Sequence, residues 1–242
     1  MELSIVIPAY EEGDKVVRDI EAASRFMRHH GISGEILLVD DGSRDSTAQA
    51  ARRAAETMNG AVRVIRNEVH RGKGHAVRCG ITVSKGEYVL FADSGLCVPY
   101  EQALAGLELL RRQSCDLAHG SRKLPGSLIH RPQPRIRRII SRIMRQLFIH
   151  LLRIPADLTD TQCGFKLYRG LAARQLYSRA HLNGFLFDIE IILLARQLGY
   201  RIREFPIEWT ADLDSRLTLF KGALSVMREF LFLLVHPIKR GM

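Results

Sequence analysis

Glu87-Tyr-Val-Leu-Phe-Ala-Asp-Ser-Gly-Leu-Cys-Val-Pro99 decides how the chain is read. Tyr88 to Phe91 is aromatic and β-branched and is entered from Lys85-Gly86, which predicts a buried strand. The strand runs straight into Asp93, a carboxylate placed where the chain should leave a sheet. Taken alone, Asp93-Ser94-Gly95 reads more readily as a turn. Two other stretches end the same way. Ile36-Leu-Leu-Val-Asp-Asp-Gly-Ser43 closes on Asp40 and Asp41, and Leu3 to Ile7 closes on Pro8-Ala-Tyr-Glu-Glu12. Three apolar strands therefore deliver acidic or aromatic residues to one edge. In open α/β sheets that edge, beyond the carboxyl ends of the strands, is where ligands bind.

Helical periodicity fills the intervals between these strands. Val16, Val17, Ile20, Ala23 and Met27 recur at helical spacing, Ser46 to Glu56 is rich in helix formers, and His75 to Val83 and Tyr100 to Arg112 continue the pattern. Ala61 to Ile65 and Asp116 to Arg122 add strands. Strand and helix alternating over short connections predicts an α/β fold whose mainly parallel sheet is covered by helices on both faces. Further on, Thr159 to Phe165 reads as compact and polar, Leu171 to Ser178 and Phe187 to Leu198 as helices, and Arg201 to Trp209 as a strand pair. No repeat or linker divides the chain, so residues 1–242 are expected to form a single domain.

The 242 residues carry 36 basic and 26 acidic side chains, a formal charge of +10 that calls for an anionic partner. Cys79, Cys97, Cys115 and Cys163 are scattered without a CxxC pair. They predict neither a zinc site nor a disulfide framework and suit a reducing compartment. The sequence enters its first strand without a positively charged leader, and its longest wholly apolar run, Phe230 to Val235, is too short to cross a bilayer. Much of the positive charge sits in one segment. From Ser127 to Ala156 there is no acidic residue, while Arg131, Arg135, Arg137, Arg138, Arg142, Arg145 and Arg153 accumulate. Ile136, Ile140, Ile143, Leu147 and Leu151 trace one helical face, with Arg135, Arg138, Arg142 and Arg145 opposite. The tail from 217 to 242 is amphipathic as well.

Dinucleotide chemistry is excluded because Pro8-Ala-Tyr-Glu-Glu12 stands after the first strand, where a glycine fingerprint is needed. P-loop chemistry is excluded by the missing hydroxyl after Gly72-Lys73-Gly74. Backbone N–H groups and a lysine in that loop can still hold a phosphate, although a solvated surface loop would look the same. Asp40 can accept hydrogen bonds from a base edge beside Tyr10, or cap the next helix. Asp93 can bind a divalent cation. The arginine helix lacks the interleaved aromatic residues of a nucleic-acid surface, so nucleic acid is not the expected partner. Two readings remain for it: a helix lying in a membrane surface, or one whose apolar face packs on the sheet and whose arginines are merely wet.

Ser4 to Glu12, Val39 to Thr47, Arg71 to Arg78, Gly120-Ser-Arg122 and Asp160-Thr-Gln-Cys-Gly-Phe-Lys166 together resemble family 2 glycosyltransferases of the GT-A fold. Phe187-Asp-Ile-Glu190 and Gly199 to Trp209 extend the likeness over nearly the whole chain. Within the family the polyprenyl- and dolichyl-phosphate glucosyl- and mannosyltransferases are most similar. The resemblance implies inverting transfer of a hexose from a nucleotide-diphosphate sugar, UDP-glucose or GDP-mannose, to a lipid phosphate. Pro8, Tyr10, Glu12, Asp40 and Ser94 would hold the nucleotide, with Lys73 beside it, and Asp93 would be the metal ligand for Mg²⁺ or Mn²⁺. Arg122, with Arg131 or Arg135, would hold the acceptor phosphate. Asp160, Gln162 and Lys166 would line the catalytic pocket, and Asp188 would lie beneath it or assist.

One departure stands out. Gly95 occupies the second aspartate of the Asp-x-Asp motif, and Cys97 a position often held by Gln, leaving a single carboxylate for a hard cation. This opens two alternatives: a transferase acting on a soluble acceptor, or a nucleotide-sugar-binding relative of reduced activity. The family's eukaryotic members usually place a membrane-spanning helix ahead of the catalytic domain. None is visible here, so attachment to the cytoplasmic face of a membrane is expected to be peripheral, through the amphipathic segments.

Overall fold

The computed structural model describes residues 1–58, 60–131, 135–211, 219–236 and 238, with the side chains of 135–139 and 219–223 outside the description. Arg135, Ile136, Arg137, Arg138 and Phe220 are therefore placed by backbone alone. Pro132, Pro134, Leu217, Lys239 and Arg240 lie outside the described residues.

Seven strands form the main sheet: β1 (Leu3–Ala9), β2 (Gly34–Asp40), β3 (Val62–Arg66), β4 (Tyr88–Ala92), β5 (Leu117–Ser121), β7 (Phe165–Arg169) and β8 (Ile202–Pro206). Their order is β3-β2-β1-β4-β7-β5-β8, and β7 alone runs antiparallel to its neighbours. β6 (Leu128–Arg131) and β9 (Glu208–Thr210) form a separate parallel pair. The late strands 201–206 and 207–209 are thus not paired with each other: β8 joins β5, and β9 leaves the sheet to join β6. The largest departure from the sequence reading is β7, because Phe165–Arg169 inserts at the centre of the sheet rather than ending a polar loop.

Strand alternation sorts the core into two layers. Leu3, Ile5 and Ile7 face helices α1 (Lys15–His29), α2 (Thr47–Glu56) and α4 (Ala103–Arg111). Val6, Leu37, Val39 and Phe91 face α3 (Lys73–Thr82), α6 (Gly170–Arg179) and α7 (Phe187–Gln197). Two further helices, α5 (Arg135–Leu151) and α8 (Leu219–Val235), add Phe148, Phe230 and Leu233 to this second layer, with Leu152 just past the end of α5.

The sheet changes winding direction between β1 and β4, since β2 and β3 lie on one side of β1 and β4 on the other. Pairing of β1 with β4 stops at Val6 and Phe91. Just past it stands Pro8, which has no N–H to offer a ladder. The two chains diverge there, opening a crevice at the switch point.

Candidate active site

Asp93 emerges from β4 at that crevice. Its backbone N–H donates to Gly164 O at 2.8 Å, and its carboxylate receives Lys73 Nζ at 2.7 and 2.8 Å. Lys73 is the first residue of α3 and also stands 5.4 Å from the Phe91 ring. Burial alone would lower its pKa, but the Asp93 and Asp188 carboxylates outweigh burial and raise it. Gly164 is required at its position because a Cβ there would overlap the Asp93 carboxylate.

The glycine loop before α3 is shaped by Asp41. Its carboxylate accepts Arg71 N–H at 3.1 Å, Gly72 N–H at 2.6 Å and Asn67 Nδ2 at 2.7 Å, and lies 2.8 Å from His70 Nδ1. His70 in turn stacks on Tyr10, with ring centroids 3.9 Å apart. Asp40 takes the other role. It is fully buried, accepts Ser43 N–H at 3.1 Å and pairs with Arg66 at 3.3 Å. Asp40 therefore lies beneath the surface, and among the described residues no hydrogen bond reaches its Oδ2. Pro8 is buried as well. Ser94 Oγ donates to Glu12 Oε1 at 3.2 Å, joining the turn after β4 to the segment after β1, while Tyr10 is half-buried against His70.

The turn after Asp93 explains the missing second aspartate. Gly95 and Leu96 adopt φ of +93° and +50°, the left-handed region that side chains resist. Both N–H groups point at Asp19 of α1, at 3.0 to 3.1 Å. Burial lifts the Asp19 carboxyl to about 6 against the pull of those two bonds. Asp19 is a group the sequence reading missed, because its apolar helical stripe gave no sign that it met a turn 76 residues away.

On the other side of the crevice, Arg122 forms a fork on Asp160, with Nε to Oδ2 at 2.6 Å and Nη2 to Oδ1 at 2.7 Å. Its guanidinium lies 5.3 Å from the ring of Trp209, the only tryptophan. Burial would lower the Arg122 pKa, yet the bond to Asp160 raises it. Conversely, the same bond holds the Asp160 carboxyl below the usual range although burial pushes it up. Glu204 fixes the loop by accepting Thr159 and Asp160 N–H, both at 2.7 Å.

Lys166 and Asp188 pair beneath, 1% and 4% exposed, and Lys166 also donates to Thr161 O at 3.1 Å. Burial raises the Asp188 carboxyl despite Lys166 and Lys73. Lys166 thus sits under the pocket rather than lining it. Gln162 is exposed and reaches Phe185 O at 3.4 Å. Arg131 is exposed at the end of β6, and Arg135 begins α5. Cys163, buried between the two halves, has its thiol pushed up to about 12 and is inert as a nucleophile.

Among the described residues no three His, Cys, Asp or Glu side chains converge as a metal cage. A Mg²⁺-like ion needs less, since one or two carboxylates plus substrate phosphates suffice. Asp93 fits that lesser requirement, in competition with Lys73.

The order of the sheet and the placement of these groups define a GT-A-type transferase fold. Solved structures agree on the fold. Mannosyl-3-phosphoglycerate synthase from Rubrobacter xylanophilus matches with a TM-score of 0.73 at 18% identity, covering 98% of this chain and 74% of that one. Glucosyl-3-phosphoglycerate synthase from Mycobacterium tuberculosis, in complex with Mn²⁺ and UDP-glucose, matches with a TM-score of 0.69 at 18% identity, covering 98% and 78%. The sequence model of glycosyl transferase family 2 matches residues 4–176, and the chain belongs to that family. It is a glycosyltransferase. Similar curated proteins include the dolichyl-phosphate beta-glucosyltransferases of Homo sapiens (30% identity, 96% of this chain, 74% of that protein) and Dictyostelium discoideum (29%, 94% and 72%).

Proposed function

We propose that the protein transfers a hexose, with inversion, from a nucleotide-diphosphate sugar to a polyprenyl or dolichyl phosphate, residues 1–242 acting as one catalytic unit. UDP-glucose is the first candidate donor and GDP-mannose the second. The observation that carries this reading is the commitment of the acceptor-side carboxylates. Asp160 is locked to Arg122 and Asp188 is sealed against Lys166. A sugar hydroxyl needs a general base to take its proton, whereas a phosphate is already ionised at neutral pH and needs only positive charge to position it. Arg122 supplies that charge. A guanidinium has five N–H donors, and two bonds to Asp160 leave capacity for a phosphate oxygen.

On the donor side Tyr10, Glu12 and Ser94 flank the nucleotide. Lys73 offers its ammonium to the diphosphate, with Asp41 holding the loop that presents it. A bound Mg²⁺ or Mn²⁺, held by Asp93, would help neutralise the leaving diphosphate. The names of the curated relatives support the acceptor class. The glucosyl-3-phosphoglycerate synthases keep a soluble acceptor as the second reading.

The exposed faces of α5 and α8 support peripheral attachment to a membrane. Ile140, Ile143 and Leu147 of α5 are exposed rather than packed on the sheet, while Phe148 and Leu152 turn inward. Among the described residues no helix is long and apolar enough to cross a membrane. The free cysteines suit the cytoplasmic side.

The test is transfer of label from UDP-glucose and GDP-mannose onto polyprenyl phosphate, polyprenol and free sugars, with Arg122→Ala as control. Label confined to polyprenyl phosphate, and lost in the variant, is expected. Equal transfer to free sugars, or an unaffected variant, would defeat the lipid-phosphate acceptor.

A further inference from the structure

Helix α8 faces two ways. Phe230 and Leu233 are buried in the core, and Phe230 meets Phe148 of α5 with ring centroids 5.9 Å apart. On the opposite side Leu224, Met227, Leu231 and Val235 are each more than half exposed. An apolar stripe of this kind on a solvent face marks a docking surface. Charge identifies what docks. Adjoining α5 is a basic helix with its own exposed apolar residues, in a segment free of acidic side chains from Ser127 to Ala156, and Arg142 and Arg153 are exposed there. Basic residues beside apolar ones suit an anionic lipid surface.

Between the two faces of α8 stands Glu229, which does not point to solvent. Its carboxylate accepts Gly184 N–H at 2.6 Å and Leu186 N–H at 3.0 Å, in an irregular strap ahead of α7. The rest of the strap is tied as firmly. Glu190 accepts the N–H groups of His181 and Leu182, and Arg78 donates to Asn183 Oδ1 at 2.6 Å. The strap's own carbonyls accept from the donor loop: Asn183 O from His75 N–H at 3.1 Å, and Gly184 O from Gly74 N–H at 3.2 Å.

Glycines take up all the slack. A Cβ on Gly184 would overlap the Glu229 carboxylate, one on Gly74 would lie 2.8 Å from Leu182 O, and one on Gly72 would lie 2.5 Å from Asn183 O. Helix, strap and loop are therefore in direct contact. The last link is Lys73, between Gly72 and Gly74, on Asp93.

We infer that Glu229 is a positioning residue through which a lipid surface, by seating α8, firms the Gly72–Gly74 loop and so prepares the donor site. This rests on the peripheral-membrane reading above and deepens it. Seating the outer stripe removes apolar area from water only while α8 holds its place. Glu229 passes that restraint to four backbone N–H groups, those of Gly184, Leu186, Gly74 and His75. No bond is made or broken; the surface changes how often the loop opens.

The experiment is backbone hydrogen exchange on the full chain, without nucleotide, with and without vesicles of phosphatidylglycerol and phosphatidylcholine lacking polyprenyl phosphate. Flotation of the same samples reads vesicle binding. In the wild type, peptides covering 72–76 and 181–187 should exchange about tenfold more slowly on vesicles, the worth of one hydrogen bond to a charged acceptor. Glu229→Gln should float equally and lose most of that slowing. Met227→Gln combined with Leu231→Gln, both on the outer stripe, should lose flotation and slowing together while keeping the exchange of the lipid-free wild type. Flotation without slowing, or slowing retained in Glu229→Gln, overturns the coupling and leaves the membrane reading standing. Absence of flotation removes both, and slowing that instead follows protein concentration would make a second copy of the chain the occupant of α8.

Discussion

Lys73–Asp93 and Lys166–Asp188 are the same two side chains set at two depths. Both pairs lie near the carboxyl end of the sheet, and Asp188 is close enough to help raise the Lys73 pKa. The first pair has side chains 25% and 33% exposed, and the second 1% and 4%. Water screens the open pair, so each partner can exchange the other for a phosphate or a cation at little cost. The sealed pair has nothing to exchange with, and removing one member strands a charge in the core. Depth, rather than residue type, separates the pair proposed to handle ligand from the pair sealed in the core.

That contrast predicts its own largest effect. Lys166→Ala should destabilise the protein by about 3–5 kcal/mol, read by urea denaturation, because Asp188 is left uncompensated. Lys73→Ala should cost no more than about 1 kcal/mol in the same measurement while sharply weakening UDP-glucose binding. If Lys73→Ala unfolds the protein as readily as Lys166→Ala, the distinction between the pairs is wrong.

Asp19 extends the comparison to a lone buried carboxyl. Its folded pKa of about 6 lies above the ordinary value of 3.8, so the native state holds a proton that the unfolded chain has released between those values. Stability from this group is full below about pH 4 and is lost as pH rises towards 6 and beyond, by about 3 kcal/mol at most. The difference between wild type and Asp19→Asn, followed by denaturation at pH 4 to 7, should show that slope. A flat difference would mean the Gly95 and Leu96 N–H groups keep Asp19 ionised throughout.

Arg122–Asp160 is the intermediate case, with the arginine side chain 21% exposed and the aspartate 2%. Arg122→Lys keeps the charge but loses the fork, and should lower kcat/KM by about tenfold, near 1.4 kcal/mol. Unchanged kinetics would show that charge alone is used at this position.

The last comparison concerns the altered metal motif, where no change in metal binding is expected. Gly95→Asp should cost about 1–2 kcal/mol, because L residues resist the left-handed region, and should not tighten Mn²⁺ binding, since Asp19 holds the turn in place. A tighter Mn²⁺ isotherm would show that the turn yields and that the open pair can become a two-carboxylate site.

Much of this was determined by the sequence alone. Short apolar runs in Leu3–Ala9, Gly34–Asp40 and Tyr88–Ala92 mark three strands that lead into Tyr10, Asp41 and Asp93, and the helical periods between them dictate the covered parallel sheet. These are local patterns, and an apolar run or a period of 3.6 is written in neighbouring residues. What the local pattern omits is the partner. Phe165–Arg169 does not read as a central strand because Lys166 interrupts it, and only Asp188, 22 residues on, makes that lysine acceptable in a core. Likewise Asp40 and Asp41 are indistinguishable in sequence, and their opposite roles come from Arg66 on one side and the Arg71-Gly72 backbone on the other. The stripe Ile140, Ile143, Leu147 defines a helical face, but periodicity says only which residues share a face, not whether anything covers it. Coverage, depth and pairing depend on chain segments distant in sequence, and tertiary structure alone brings those together.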